Sequence, residues 1–444
     1  MFSRGWQAVG RVDVATAPGS YIVGEVSGIK YLVVRGEDGV LRAFHNVCRH
    51  HGMEVASAPG DAPGASEDAR VESPADGFWS RLSRRSSERR HHGKKIAGFS
   101  RGFEERTCPR ATAKCFSCPY HGWTYDLRGA LRESSARVEG MENFDADRNG
   151  LKPLGVKTWG PFVFLHLGGA VDGEDAAPGA VNPSPSPPEP IDDAFRAAGL
   201  REEDYASLAH VATRTYAMDC NWKVFCDNYL DGGYHVPFAH PALASGVAMR
   251  SYETEIYGLI SVQRVRARLD DESDEARVED VDVAGSKSAD APVDEIRFFG
   301  DSWRPEDYLP PKANAGRSNA SDASSDDIRA RRLGESATYA FVYPNFMINR
   351  YGPWLDTNWV VPTGPNTCEV TFEYYVEREL ADDAAFVAES LAASDLVQRE
   401  DAWLCEKVQG GVASPGYGEG RYAPSVEAAM YHFHRQLWED LTEE

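Results

Sequence analysis

From Tyr21 to Phe44 apolar and polar residues alternate, interrupted by Gly36-Glu37-Asp38-Gly39, and the pattern predicts short antiparallel strands. Much further along, Trp222, Phe225, Cys226, Tyr229 and Leu230 recur at i, i+3, i+4, i+7 and i+8. That is one stripe of an amphipathic helix, which Gly232-Gly233 then loosens. Cys368 to Glu377 nearly alternates, as a strand with one buried face does. Asp382 to Gln409 is helical in composition, and Gly410-Gly411 is expected to stop it. A sheet with helices packed on it fits this second half.

Between these elements lie stretches too polar to bury a core of their own. Residues 56–107 carry Pro, Gly, Ser and Asp and an Arg run around Arg84-Arg85 and Arg89-Arg90. Residues 169–192 approach their end in Ser184-Pro185-Ser186-Pro187-Pro188-Glu189-Pro190 and read as an inter-domain linker. Further polar inserts are expected at about 268–292 and 311–335, as surface loops. The predicted organisation is thus a first unit over 1–168 with a long insert at about 56–107, the linker, and a second unit over 193–444.

The 444 residues suffice for two or three domains, and no stretch has the length of a membrane span. Met1-Phe2-Ser3-Arg4-Gly5-Trp6 lacks the pattern of a secretory signal or a plastid transit peptide. A soluble protein is expected, in the chloroplast stroma if a targeting segment is missing from this chain and otherwise in the cytoplasm. A net charge of −22 argues against nucleic-acid binding, which requires phosphate neutralisation by Lys and Arg. Eight Cys in so long a chain are too sparse for a disulfide framework, so those near His are better candidates for metal ligation.

Two constellations carry chemistry. Cys48-Arg49-His50 and Cys118-Pro119-Tyr120-His121 give Cys-x-His followed by Cys-x-x-His. Zinc takes such a set in structural sites. A Rieske [2Fe–2S] cluster uses the Cys pair on one iron and the His pair on the other. The order, the short spacings and the His-Gly-Trp sequence favour the cluster. Gly52 and Gly122 suit tight loops that bring backbone amides near sulfur. Residues 51–117 between the two halves are far longer than such a site needs, but closure entropy grows only logarithmically with length. His51, His91, His92, Cys108 and Cys115 are spare groups, read as surface imidazoles or buried thiols.

The second constellation is His235 and His240, which follow Asp227 and Asp231. Two His and one carboxylate with open positions form the facial triad of non-haem Fe(II) oxygenases. Asp401 shares a helix face with Val397, Leu404, Cys405 and Val408, and a carboxylate there needs a metal, a cation or donors. Asp401 is the expected third ligand, with Glu400 on another face as its competitor. Asp231 is expected to bridge the Rieske histidine and the iron histidine, or else to contact backbone donors at the helix end, with Asp227 nearby as an alternative.

The chain resembles the plant-type choline monooxygenases, within the Rieske oxygenase family of large catalytic subunits. The resemblance rests on Ala43-Phe44-His45-Asn46-Val47-Cys48, Cys115 to Trp123, Asn221 to His240, Tyr343 to Trp354, Glu400-Asp401 with Cys405-Glu406, and Gly420-Arg421-Tyr422 with His432-Phe433-His434. In relatives the bridging acid often stands three residues before the first His, where this chain has Gly232. The resemblance implies an α+β protein: an all-β Rieske domain, then a helix-grip catalytic domain with an antiparallel sheet, assembled as a homotrimer. It implies a [2Fe–2S] cluster, a mononuclear Fe(II), reduced ferredoxin as donor, and O2-dependent oxidation of choline to betaine aldehyde hydrate. A quaternary ammonium substrate calls for aromatic faces, and Tyr343, Phe346, Tyr351 and Trp354 form the densest aromatic group outside the metal motifs. Carnitine, glycine betaine or an aromatic ring are alternative substrates. A non-catalytic metal-binding or electron-transfer protein is the alternative of another class.

Overall fold

Strand β1 (Trp6–Arg11) opens the chain, and the alternation after it folds as β2 (Ser20–Val26), β3 (Ile29–Arg35) and β4 (Leu41–His45). The structure is a computed structural model, and it describes residues 2, 5–57, 104–105, 111–134, 141–168, 189–197, 201, 205, 207–244, 246–267 and 331–442. Short strands follow: β5 (Glu104–Glu105), β6 (Ala111–Thr112), β7 (Phe116–Ser117), β8 (Thr124–Tyr125) and β9 (Leu131–Glu133). Two longer ones, β10 (Pro153–Trp159) and β11 (Phe162–His166), complete the first half. One sheet has the order β1-β11-β10-β4-β3-β2-β6, and β7-β8-β9 forms a separate small sheet. Phe116, Trp123 and Tyr125 pack with Leu32, Val34 and Phe44 and tie the small sheet to the large one.

The second half begins with α1 (Glu189–Ala197), β12 (Leu208–Met218), α2 (Trp222–Leu230), α3 (Val236–Ala239) and α4 (Pro241–Ala244). Then come β13 (Val247–Tyr257), β14 (Ile260–Ala267), β15 (Ser336–Val342), β16 (Phe346–Tyr351), β17 (Trp354–Gly364) and β18 (Thr367–Glu377). Helices α5 (Ala384–Val412) and α6 (Ala428–Thr442) close the described chain. The sheet is antiparallel in the order β13-β14-β15-β16-β17-β18-β12-β5. Trp222, Phe225, Phe386 and Phe433 of the helices pack on one face of it against Phe341, Trp354, Phe372 and Tyr374. The fold is α+β: an all-β first half, then an antiparallel sheet that grips a long helix.

Four expectations change. Strand β18 is buried on both faces from Phe372 to Val376, not on one. Its second face is covered by Phe162 of the first half and Phe195 of α1, which join Tyr375 in one cluster. Helix α5 passes through Gly410-Gly411 to Val412, because neither glycine is forced into a left-handed turn there. Its start is set by Asp383, whose Oδ1 accepts from Phe386 N–H at 3.0 Å. The linker expected through residue 192 already turns helical at Glu189. The insert at 56–107 is not all loop, since Glu104 and Glu105 pair with Thr215 and Arg214 at the sheet edge. The rest of that insert except residues 56–57, the whole insert at 268–292 and residues 311–330 lie outside the described residues. Residues 331–333 are helical, with the Arg331 guanidinium 4.7 Å from the Phe386 ring centre.

A buried charge cluster joins the two halves. Glu373 Oε2 on β18 accepts from Thr213 Oγ1 at 2.6 Å, lies 2.7 Å from His210 Nε2, and stands 3.6 Å from Arg11 NH1 of β1. Glu373 is 1% exposed, so its removal takes the shared acceptor from Thr213 and His210 in the interior and leaves Asp13 as the acid beside Arg11. Glu373→Ala is expected to cost about 3 kcal/mol, read as a lower midpoint in thermal or denaturant unfolding.

Candidate metal centres

The first constellation is built from two loops with the same backbone plan. Cys48 N–H donates to Met53 O at 2.7 Å, and Gly52 N–H to Cys48 O at 3.0 Å. Cys118 N–H donates to Trp123 O at 2.8 Å, and Gly122 N–H to Cys118 O at 2.9 Å. Gly52 and Gly122 take φ of 78° and 75°, the left-handed region that glycine enters without strain. Each loop therefore turns its Cys inward and its His two or three residues later alongside.

Both thiols are buried, and the amides of Tyr120 and His121 approach the Cys118 sulfur. The His50 and His121 ring centres lie 4.6 Å apart, with His50 stacked on Trp123 at 4.9 Å. Burial and the neighbouring His51 and His121 hold His50 below its ordinary pKa, in the neutral form a ligand needs. Nδ1 of His50 and Nδ1 of His121 are both buried and have no hydrogen-bond partner among the described residues. Two buried thiols beside two orphaned ring nitrogens suit a [2Fe–2S] cluster with a Cys pair on one iron and a His pair on the other. Tyr125, which the sequence did not single out, sits under this set: its hydroxyl accepts from Arg49 N–H at 3.0 Å and lies 3.3 Å from Cys48 Sγ. His51 and Cys115 are exposed, and His91, His92 and Cys108 lie outside the described residues.

The second constellation forms where α2 ends. Asn221 caps the helix by accepting from Lys223 N–H at 3.1 Å, and Asp231 follows its last turn. Gly232 and Gly233 then take φ of 72° and 73°. A Cβ at 232 would stand 2.2 Å from Val426 O, so no acid can occupy that position, and the carboxylate sits at 231 instead. Asp231 Oδ2 accepts from His235 N–H at 2.9 Å and lies 2.6 Å from His235 Nδ1. The helix-end role and the histidine-holding role are thus filled together. Asp227 points elsewhere: its Oδ1 lies 2.7 Å from His434 Nε2.

His240 is held in the same manner by a different acid, with Glu400 Oε2 2.6 Å from His240 Nδ1. Glu400 is therefore not positioned as a rival ligand; it fixes the ring from behind. The Nε2 atoms of the two histidines face each other at 3.2 Å. Asp401 Oδ1 completes the group, 3.0 Å from His240 Nε2 and 3.5 Å from His235 Nε2, and accepts from Asn228 Nδ2 at 2.7 Å. Burial opposes charge on His235, but Asp231 and Asp401 outweigh it and raise the imidazole to about 10. For His240, burial is likewise outweighed by Asp401 and Glu400, and the ring reaches about 9. Asp401 is held well below the usual carboxylate range by the two histidines despite its burial. Three donor atoms within 4.8 Å, two nitrogens and one carboxylate oxygen, can hold one iron and leave positions open. His235 and His240 each have a carboxylate behind them, the arrangement that orients metal-bound imidazoles.

The group opens on a cavity of about 130 Å³. Its walls include Phe225, Tyr229, Tyr252 and Tyr339, aliphatic Leu243, Val247, Met249 and Val265, and the carboxamides of Asn349, Asn358 and Gln398. Tyr343, Phe346, Tyr351 and Trp354 do not line it. Phe346 packs on Phe162 and Phe164 between the two halves, and Trp354 packs on Phe386. Tyr343 donates to Asp440 at 2.8 Å and Tyr351 to Asp356 at 2.7 Å. Density of aromatics along the sequence marked the core of the sheet, whereas the cavity draws its rings from α2, β13 and β15.

The family model of the ring hydroxylating alpha subunit (catalytic domain) matches residues 205–443, and that of the Rieske [2Fe-2S] domain matches residues 5–74. The chain is 36% identical to the chloroplastic choline monooxygenase of Arabidopsis thaliana, over 99% of this chain and 78% of that protein. Against the same enzyme of Beta vulgaris the identity is 31%, over 99% and 73%. A solved quaternary ammonium Rieske monooxygenase, studied for carnitine oxidation and inter-subunit electron transfer, aligns with a TM-score of 0.60 and 20% identity over 98% of this chain and 89% of that one. The cofactors are accordingly a Rieske cluster and a mononuclear iron.

Asp401→Ala is expected to lose the mononuclear iron and keep the cluster, and Glu400→Ala to weaken iron binding on the order of 10–100-fold. Iron analysis beside the Rieske EPR signal reads both. Tyr125→Phe removes a hydrogen bond to sulfur worth about 1 kcal/mol, and is expected to lower the cluster potential by roughly 40 mV in a redox titration.

Proposed function

The chain belongs to the Rieske non-haem iron oxygenases that carry a ring-hydroxylating alpha-subunit catalytic domain, and from that membership we propose that it oxidises choline to betaine aldehyde hydrate with O2 and electrons from reduced ferredoxin. In this reading Cys48, His50, Cys118 and His121 hold the cluster, and His235, His240 and Asp401 hold the iron. When bound, the cluster supplies electrons one at a time and the iron activates O2 for hydroxylation of the carbon bearing the alcohol. The chain's own part is geometric and electrostatic. Asp231 and Glu400 fix the two imidazoles, Asn228 fixes the carboxylate, and the apolar wall limits water around the reacting carbon.

The observation that carries the substrate is the lining of the cavity. Aromatic faces of Phe225, Tyr229, Tyr252 and Tyr339 suit a quaternary ammonium. Among the described residues no Lys or Arg lines it, so the carboxylate of carnitine or glycine betaine would find no cationic partner, whereas the hydroxyl of choline needs only the carboxamides.

Electron entry is assigned to a neighbouring subunit's cluster in a homotrimer, with Asp231 as the bridging acid. Met53 and Tyr120 stand exposed on the Cys48 and Cys118 loops, and Tyr234 and Phe238 stand exposed beside His235. Apolar groups left open at both ends of the proposed electron path are what a second copy would cover. Among the described residues no helix is long and apolar enough to cross a membrane.

Turnover with reduced ferredoxin, O2 and a panel of choline, carnitine, glycine betaine and aromatic acids is expected to give betaine aldehyde from choline alone. Oxidation of another member without choline turnover would overturn the substrate. Co-assembly of His121→Ala and Asp401→Ala subunits is expected to restore activity that neither has alone, and no restoration would place electron transfer within one subunit.

A further inference from the structure

One row across the eight-stranded sheet is polar where it faces the helices. Gln263 of β14, Tyr339 of β15, Asn349 of β16 and Asp356 of β17 are successive cross-strand partners. Tyr339 and Asn349 line the iron cavity; Asp356 lies behind Asn349 and is 4% exposed. Asp356 Oδ1 accepts from Asn349 Nδ2 at 2.6 Å, and Oδ2 accepts from the Tyr351 hydroxyl at 2.7 Å. Asn349 Oδ1 in turn accepts from the Tyr229 hydroxyl at 2.8 Å, so the carboxamide is oriented with its donor on the carboxylate. Gln263 Oε1 is buried and has no donor among the described residues.

Asp356 makes no ion pair among the described residues. The nearby Arg332 lies over the Tyr351 ring, 5.3 Å from its centre, and gives the carboxylate only a long-range attraction. A buried carboxylate without a cation is costly unless something compensates it. Burial accordingly pushes Asp356 up to about 6, with the two hydrogen bonds opposing. The metal centre does not use this group, and the packing of the sheet would be served by an apolar residue.

We infer that Asp356 is the fixed counter-charge of an ammonium subsite, acting through the Asn349 wall on a cation held against the rings of Tyr229, Tyr252 and Tyr339. The inference rests on the reading that this cavity takes a quaternary ammonium alcohol, and it separates two contributions to that preference. The rings attract a cation at contact. The carboxylate adds a longer-range attraction across a low-dielectric wall, where charges are poorly screened. Asp356 is a specificity residue that never touches the substrate, and it acts on charge, not on shape.

The test compares choline with its uncharged isostere 3,3-dimethyl-1-butanol in the reconstituted holoenzyme. Asp356→Asn keeps the outline and removes the charge. It is expected to raise KM for choline by roughly tenfold or more while leaving turnover of the neutral alcohol, iron content and the cluster spectrum unchanged. Retention of the wild-type preference for choline, or an equal loss on both alcohols, would overturn the role of Asp356. Tyr351→Phe removes one of the two hydrogen bonds that keep the carboxylate charged, and it is expected to reduce the preference in the same direction. That second variant decides the question if Asp356→Asn fails to fold, and an unchanged preference in it counts against the inference. A wild-type enzyme that does not prefer choline over the isostere would overturn the substrate reading itself.

Discussion

Carboxylates buried beside imidazoles are the constraint around which the second half of the molecule is arranged. Asp231, Glu400 and Asp401 converge on only two rings, and three negative groups in an apolar interior demand positive charge. Burial opposes charge on both rings, but the acids outweigh it, and His235 and His240 are raised to about 10 and about 9. A divalent ion would meet the same demand: Nε2 of His235, Nε2 of His240 and Oδ1 of Asp401 lie within 4.8 Å of one another, and Asp231 and Glu400 stand behind the rings. The supporting fold follows from this. Helix α5 supplies Asp401 and Glu400 from consecutive positions, and α2 with its glycine turn supplies the other side. The sheet beneath α5 keeps the two pieces in register.

That register depends on the sheet being covered twice. Helices α2, α5 and α6 bury one face, and Phe162 and Phe164 of the first half together with Phe195 of α1 bury the other. Glu373 sits in this doubly covered region and reaches Arg11 across the junction. The two halves therefore share one packed body, and the cluster loops are carried on the same frame as the iron pocket.

Much of this was legible in the sequence, and the parts that were not share a cause. Candidate pairs a few residues apart, Cys48 with His50 or His235 with His240, are brought together by local geometry and show in local spacing. Asp401 stands out in the sequence as a charge on a largely apolar helix face, and the fold brings it beside His235 and His240. Glu400, one position earlier, reads from the sequence as a competitor, since only the fold shows that it approaches His240 from the opposite side. The aromatic group at Tyr343 to Trp354 differs from the expectation for the same reason: rings close together on adjacent strands fill the core, while cavity walls are gathered from distant segments. Tyr125 gave no signal, because its meaning lies in a contact with Cys48 seventy-seven residues away. Gly232, which looked like a departure from relatives, proved to be a steric requirement set by Val426.

The long segment between the two cluster loops is tolerated for a physical reason that the loops themselves display. Each is closed by its own pair of backbone hydrogen bonds and its own left-handed glycine, so neither needs the other's chain continuity to hold its shape. Their relative placement comes from strands: β4 delivers Cys48 from the large sheet, while β7 and β8 carry Cys118 and rest on Leu32 and Phe44. Inserted residues then lengthen a connection whose ends are already fixed, and the added entropy grows only with the logarithm of length. Within that connection Glu104–Glu105 returns to the catalytic sheet as an edge strand beside β12. The insertion thereby contributes backbone to the second half while Cys48, His50, Cys118 and His121 of the first half stay together.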